Sequence, residues 1–401
     1  MTTITGIHKF TMTSGERRCI IIDNENKIPL YYPNLYLTIQ YRNRGWSFST
    51  MESVALSISL LYRFLRANNI SIENNIFAGQ CLSNSEIESL SMYLMKKRSR
   101  HEPFEPISTR TLYHRLNTII GYLSWLSDTI LRFDASEQRA CANRMVRTIK
   151  QRLPVNSKNK NKKYTNDGLS QNVQEKILEV INPRSAKNPF ELYVRQRNEL
   201  MILLLYHLGI RCGELLNIKL EDIDFQKNRI LITRRPDEKE DPRHNQPLVK
   251  TYGRTLSLDR ELVLKIHNYI SFDRQKVSSS KKGYLFLSYK PGPSRGLPIS
   301  KSGYHKIIAQ IASCDPLLHS LKGHQLRHTW NYNFSNLMDS LPVSISEEEQ
   351  GRMREQQMGW KENSGTTAIY NKRFIREKTD EASLRLQERL NTARRKNDNN
   401  K

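Results

Sequence analysis

Acidic side chains are in short supply in this chain. Its 401 residues carry 40 Asp and Glu against 64 Lys and Arg, a formal net charge of +24. An imbalance of this size implies a polyanionic partner, nucleic acid first and an anionic membrane surface second. A second absence weighs against the membrane. No apolar run is long enough to span a bilayer, and the opening MTTITGIHKF has no apolar signal-peptide core. The chain is therefore expected to be soluble and cytoplasmic. Cysteine is sparse too. Cys19, Cys81, Cys141, Cys212 and Cys314 are widely scattered, with no C-x-x-C pair, which excludes a zinc ribbon or redox dithiol of the usual spacing. They read as reduced thiols, Cys212 as a small buried one. No internal repeat is present. What remains, 37% hydrophobic and 26% charged residues, suits a globular protein with two or three cores.

The order of segments predicts a mainly α protein with small β elements. Residues 1–48 read as a small β-rich segment, with Arg18–Asp23 (RCIIID) and Leu35–Tyr41 (LYLTIQY) as strands. Residues 49–153 read as a helical domain. Thr50 is the expected N-cap of its first helix, which carries Val54, Ile58, Leu61 and Leu65 on one face. A second helix follows Ser83, a third follows Ser108, and a fourth spans Ser136 to Arg152. From Arg139 to Lys163 nine residues are basic and none is acidic: Arg139, Arg144, Arg147, Lys150, Arg152, Lys158, Lys160, Lys162 and Lys163. They are expected to track a nucleic-acid backbone, with residues 154–168 as a basic linker. A second domain is expected over 169–375. Its most apolar helix ends at Leu208, where Gly209 stops it. Arg229–Thr233 and Arg254–Leu258 read as paired strands around a long polar excursion. Residues 376–401 read as a charged helix, whose Leu384, Leu386 and Leu390 need a partner surface on a neighbour, followed by a disordered basic tail.

The residues fit for chemistry lie in three stretches of the second domain. LGIRCGELL sets Arg211 three before Glu214. HQLRHTW sets His324 three before Arg327, one turn apart on one helical face. MGWKENSGTTAIYNKRF carries Trp360 and, ten residues later, Tyr370. Breaking a phosphodiester without a metal needs these residue types. A Tyr can attack phosphorus and hold it covalently. Two Arg can neutralise the non-bridging oxygens bidentately, which Lys does less well. A His can accept or return a proton. A Lys can protonate the leaving alkoxide, and Lys250 near the end of the polar excursion offers one, with Lys239 as the alternative.

These boxes, in this order, resemble the tyrosine recombinase, or phage integrase, family. Its pattern is an Arg with an acidic residue three later, then His-x-x-Arg, then His or Trp, then Tyr about ten further on. The resemblance runs by motif from Leu169 to Phe374. The helical domain and basic linker are similar in architecture to the family's core-binding domain. The resemblance implies that Arg211 and Arg327 clamp the phosphate, that His324 is the acid/base group, and that Lys250 is the hairpin lysine. It implies Tyr370 as nucleophile; the nearest rival, Tyr332, falls inside the helix after His324. Glu214 resembles the acidic residue that holds the site together, and His328 reads as structural. Trp360 stands where many members carry His; its indole can donate a hydrogen bond or pack beneath the site but cannot shuttle a proton.

The implied reaction leaves a 3′-phosphotyrosine and a free 5′-hydroxyl, and rejoining needs no cofactor, ATP or metal. The implied substrate is double-stranded DNA. The implied assembly is a tetramer on two DNA sites, with accessory DNA-bending or directionality proteins. The expected task is integration or excision of a mobile element. A type IB topoisomerase-like nicking-closing enzyme and a catalytically silent, integrase-derived regulator are the alternatives.

Overall fold

The computed structural model describes residues 5–97, 106–155, 168–278, 283–343, 345–362 and 379–391. The chain divides into two units, residues 1–161 with 237–240 and the remainder. In the first, strands β1 (Thr5–Thr11) and β2 (Arg17–Asp23) pair antiparallel, Thr5 opposite Asp23 and Thr11 opposite Arg17. Alternate residues of β2 face inward, so Cys19 and Ile21 enter the core. Next come α1 (Tyr31–Tyr36), a π-helical turn over Leu37–Arg42, α2 (Phe48–Ala67), α3 (Ile72–Phe77), α4 (Asn84–Met95), α5 (Thr109–Ile130) and α6 (Ser136–Gln151).

Two expectations change here. LYLTIQY is helical rather than extended. A strand would bury every second residue, whereas the adjacent Tyr36 and Leu37 are both buried and Ile39 is exposed. The Tyr36 ring meets Tyr122 and Trp125 of α5, with centroids 5.3 and 5.1 Å away. That packing overrides the strand propensity of the β-branched and aromatic run. The first long helix begins earlier than Thr50. Ser47 is its cap and accepts the Thr50 N–H, so Phe48 and Met51 join the core. Ser83 and Ser108 cap α4 and α5 in the same way, and Glu86 completes a capping box.

The second unit contains α7 (Gln171–Ile181), α8 (Leu192–Leu208), the single turn α9 (Cys212–Leu215), β3 (Ile223–Asp224), β4 (Arg229–Ile232), β5 (Arg254–Ser257) and α10 (Arg260–Asn268). Then follow α11 (Lys301–Ser313), α12 (Gly323–Ser340), α13 (Glu347–Met358) and a helical stretch over 379–391. The three strands form an antiparallel sheet in sequence order. Six consecutive residues of α8, Leu200 to Leu205, are buried. A helix apolar all round sits in the middle of a core, and α8 is the central element of this one.

Gly209 ends α8 in the left-handed region at φ +61°. A Cβ there would lie 2.7 Å from Met358 Cε and 2.8 Å from Trp330 Cγ. Gly209→Ala combines left-handed strain with a steric conflict, so it is expected to cost about 1–3 kcal/mol. A lowered thermal midpoint of the second unit checks this; an unchanged midpoint contradicts it.

Candidate active site

One buried carboxylate organises the polar centre of the second unit. Glu214, on α9, is 1% exposed. It accepts the Arg211 backbone N–H at 3.1 Å, Thr251 Oγ1 at 2.8 Å and Arg254 Nη2 at 2.9 Å. Arg211 Nη1 lies 3.4 Å away and Arg327 Nη1 4.0 Å away. Burial by itself raises the carboxyl pKa. The Arg254 charge and hydrogen bond, with the Arg327 charge and the Arg211 N–H, outweigh it and hold Glu214 below its usual value.

The two arginines behind Glu214 also close helix ends. Arg327 donates from Nη1 to Gly209 O at 2.7 Å and from Nη2 to Met358 O at 3.2 Å. Arg254 donates from Nε to Gln357 O at 2.6 Å and from Nη1 to Thr251 Oγ1 at 3.1 Å. The last carbonyls of α8 and α13 have no intrahelical donors, and they carry the negative end of each helix dipole. Guanidinium forks satisfy both needs. Gly359, at φ +62°, ends α13, and its carbonyl accepts the Tyr252 N–H at 3.0 Å. The Arg327 guanidinium also lies 5.3 Å from the centroid of the Trp360 ring, close enough for a cation–π contact.

His324 stands at the exposed start of α12, one turn before Arg327. Desolvation, then the Arg327 and Arg211 charges, lower its pKa. The imidazole is therefore neutral near pH 7 and ready to accept a proton. The His328 ring is 4.7 Å from that of His324. Desolvation, with His324 and Arg327 nearby, takes His328 down to about 4. Arg211, unlike the buried Arg327, keeps part of its side chain open to solvent.

The low Glu214 pKa has a consequence for stability. The folded carboxyl titrates below its usual 4.5, so its contribution is complete above the unfolded value and lost as pH falls through the folded one. Glu214→Gln removes this component. The wild-type minus variant difference in unfolding free energy is expected to be flat near neutrality and to shrink in acid. A difference that grows with acidification contradicts the assignment.

The structure thus brings Arg211, Glu214, His324, Arg327 and Trp360 together. Lys250 is exposed, held between buried Val249 and the Glu214-bound Thr251. Lys239 falls in the segment grouped with the first unit. Tyr370 lies outside the described residues, as do Lys158, Lys160, Lys162 and Lys163. On α6, Arg144, Arg147 and Lys150 are exposed. Arg139 instead donates to Leu131 O at 2.9 Å, and Arg152 pairs with Glu88 at 2.6 Å.

Sequence reasoning missed Arg254 and Thr251. Arg254 opens a strand whose inward positions include its own, and a cation at an inward strand position needs a buried anion. That was the available signal. Among the described residues no cluster of three or more His, Cys, Asp or Glu could hold a metal ion. No helix among them is long and apolar enough to cross a membrane.

Residues 168–374, just over half of the chain, match the sequence model of the phage integrase family. Transposase A from transposon Tn554 of Staphylococcus aureus is 25% identical over 301 residues, covering 72% of this chain and 75% of that protein. A tyrosine recombinase of Pseudothermotoga lettingae is 24% identical over 217 residues, 54% of this chain and 64% of its own length. Among solved structures, the Tn1549 transposon integrase in complex with transposon right end DNA superposes with a TM-score of 0.51 at 14% identity, covering 86% of this chain and 94% of that one. At that identity the likeness speaks for the fold.

Proposed function

The chain belongs to the phage integrase family, and from that premise we propose that it is a site-specific DNA recombinase working through a 3′-phosphotyrosine. The observation that carries the reading is the convergence of Arg211 and Arg327 on buried Glu214, with His324 close enough to feel both arginine charges. These residues come from elements more than a hundred positions apart, in the order of the family motif.

In this reading the Tyr370 hydroxyl attacks the scissile phosphorus while neutral His324 takes its proton. The 3′-phosphotyrosine forms as the bond to the 5′-oxygen breaks. Lys250 protonates that oxygen, which leaves as a 5′-hydroxyl. Arg211, open on one side, neutralises the non-bridging oxygens, and Arg327 stands behind it. Trp360 packs against Arg327 and keeps its guanidinium in place. The phosphodiester energy stays in the tyrosyl link, so rejoining to a partner 5′-hydroxyl needs no ATP or metal. Exposed Arg144, Arg147 and Lys150 on α6 lie along the duplex backbone in the first unit. Two duplexes require four protomers. The transposon-borne relatives favour integration or excision of a mobile element.

The test is a nicked duplex that traps the cleaved state. Wild-type protein is expected to form an adduct that survives denaturant and disappears with protease. No adduct on any DNA that the protein binds would falsify the proposal. Recombination between two sites, rather than relaxation of one supercoiled circle alone, separates this function from a topoisomerase.

A further inference from the structure

A pocket of about 430 Å³ opens beside Arg211 and His324 in the second unit. Sites for small ligands commonly span about 300–1,000 Å³. Its polar lining is Arg211, His305, Lys322 and His324, with no carboxylate. Its floor is apolar, built from Ile210, Ile308, Ala309 and Leu321. Cys212 joins the wall, and burial pushes its thiol up to about 12, so it is neutral there.

Tyr304 of α11 supplies the one hydroxyl of the lining. The residue is 2% exposed and lines the pocket, and its Oη has no hydrogen-bond partner among the described residues. Burial raises the phenol pKa, which keeps the group a donor. It fits because position 323 is glycine: a Cβ on Gly323 would stand 1.9 Å from Tyr304 Oη. The residue just before His324 is therefore shaped around this phenol.

The pocket shares Arg211 and His324 with the phosphate site, so whatever fills it lies within about one nucleotide of the reacting phosphorus. We propose that it receives the deoxynucleoside adjoining the scissile phosphate, with its base unstacked from the duplex; this rests on the proposed recombinase function. A cationic rim without acids admits a group tethered to a polyanion. The apolar floor accepts the face of a neutral base. Tyr304 Oη donates to an acceptor on the base edge, which gives a preference among bases at that position.

The experiment uses the full chain and the nicked duplex whose cleavage position the covalent adduct has mapped. 2-Aminopurine replaces each base flanking that position in turn. End-label anisotropy establishes that all DNA is bound before fluorescence is read. A several-fold rise at one flanking position supports the proposal. So does its loss in Ala309→Leu, which narrows the pocket from a solvent-exposed position. Tyr304→Phe keeps the ring beneath Gly323 and removes only the donor; it is expected to reduce the preference among bases at that position. Bound DNA with no rise at either position overturns the pocket assignment and leaves the recombinase function standing. An undiminished rise in Ala309→Leu also overturns it. Failure to form any adduct removes the function instead, and this inference with it.

Discussion

Replacing Glu214 by alanine is expected to destabilise the second unit by about 3–5 kcal/mol, the range for removing one partner of a buried ion pair. The reason is what stays behind. Arg254 and Arg327 are both buried and lose their shared countercharge. The Arg211 N–H and the Thr251 hydroxyl lose their acceptor. Each would need water that the packed core does not admit. The damage reaches further than α9, because the same guanidinium groups hold the ends of α8 and α13. Glu214→Gln retains an acceptor and the side-chain volume, so it should cost clearly less. Urea unfolding of the full chain at neutral pH measures both. A loss below about 1 kcal/mol for the alanine variant, the scale of an exposed ion pair, would mean that Glu214 is not the organising group.

The second large effect concerns Tyr370. Tyr370→Phe is expected to abolish the covalent adduct while leaving DNA affinity within a few-fold of wild type. The substitution removes a single oxygen and keeps the ring. Arg211, Arg327 and His324 offer no equivalent nucleophile, because arginine has no free pair to donate and a histidyl adduct would not persist as a tyrosyl ester does. Tyr332, mid-way along α12, is the internal control, and Tyr332→Phe should leave the adduct intact. An adduct formed by the Tyr370→Phe protein would refute the assignment, whereas loss of DNA binding would show that the residue has a structural duty instead.

Local signals carried much of the fold. Ser83 and Ser108 precede apolar periodic runs, and each caps the helix that follows. Gly209 ends α8 where the left-handed conformation is needed. The pairing of His324 with Arg327 was legible because three-residue spacing puts them on one helical face. What was not legible depended on distant partners. Nothing in LYLTIQY announces the α5 aromatics that draw it into a helix. Arg254 looks like an ordinary strand residue until Glu214, forty positions earlier, is seen beside it. Arg139 and Arg152 belong by composition to the basic run, yet both are engaged in contacts within their own unit. Charge along a sequence marks a basic face only after neighbouring carboxylates and carbonyls have claimed their share.

The anchoring of α13 bears on where cleavage can happen. Arg254, Arg327 and the Tyr252 N–H fasten the carbonyls of Gln357, Met358 and Gly359 to the cluster around Glu214. The segment leading to Tyr370 therefore leaves from a fixed post. Tyr370 stands ten positions after Trp360, and a chain of that length reaches at most about 36 Å. In the proposed function that length bounds how far from Trp360 the Tyr370 hydroxyl can act. Whether a protomer cuts at its own phosphate or at a neighbour's then becomes a question of distance from the end of α13.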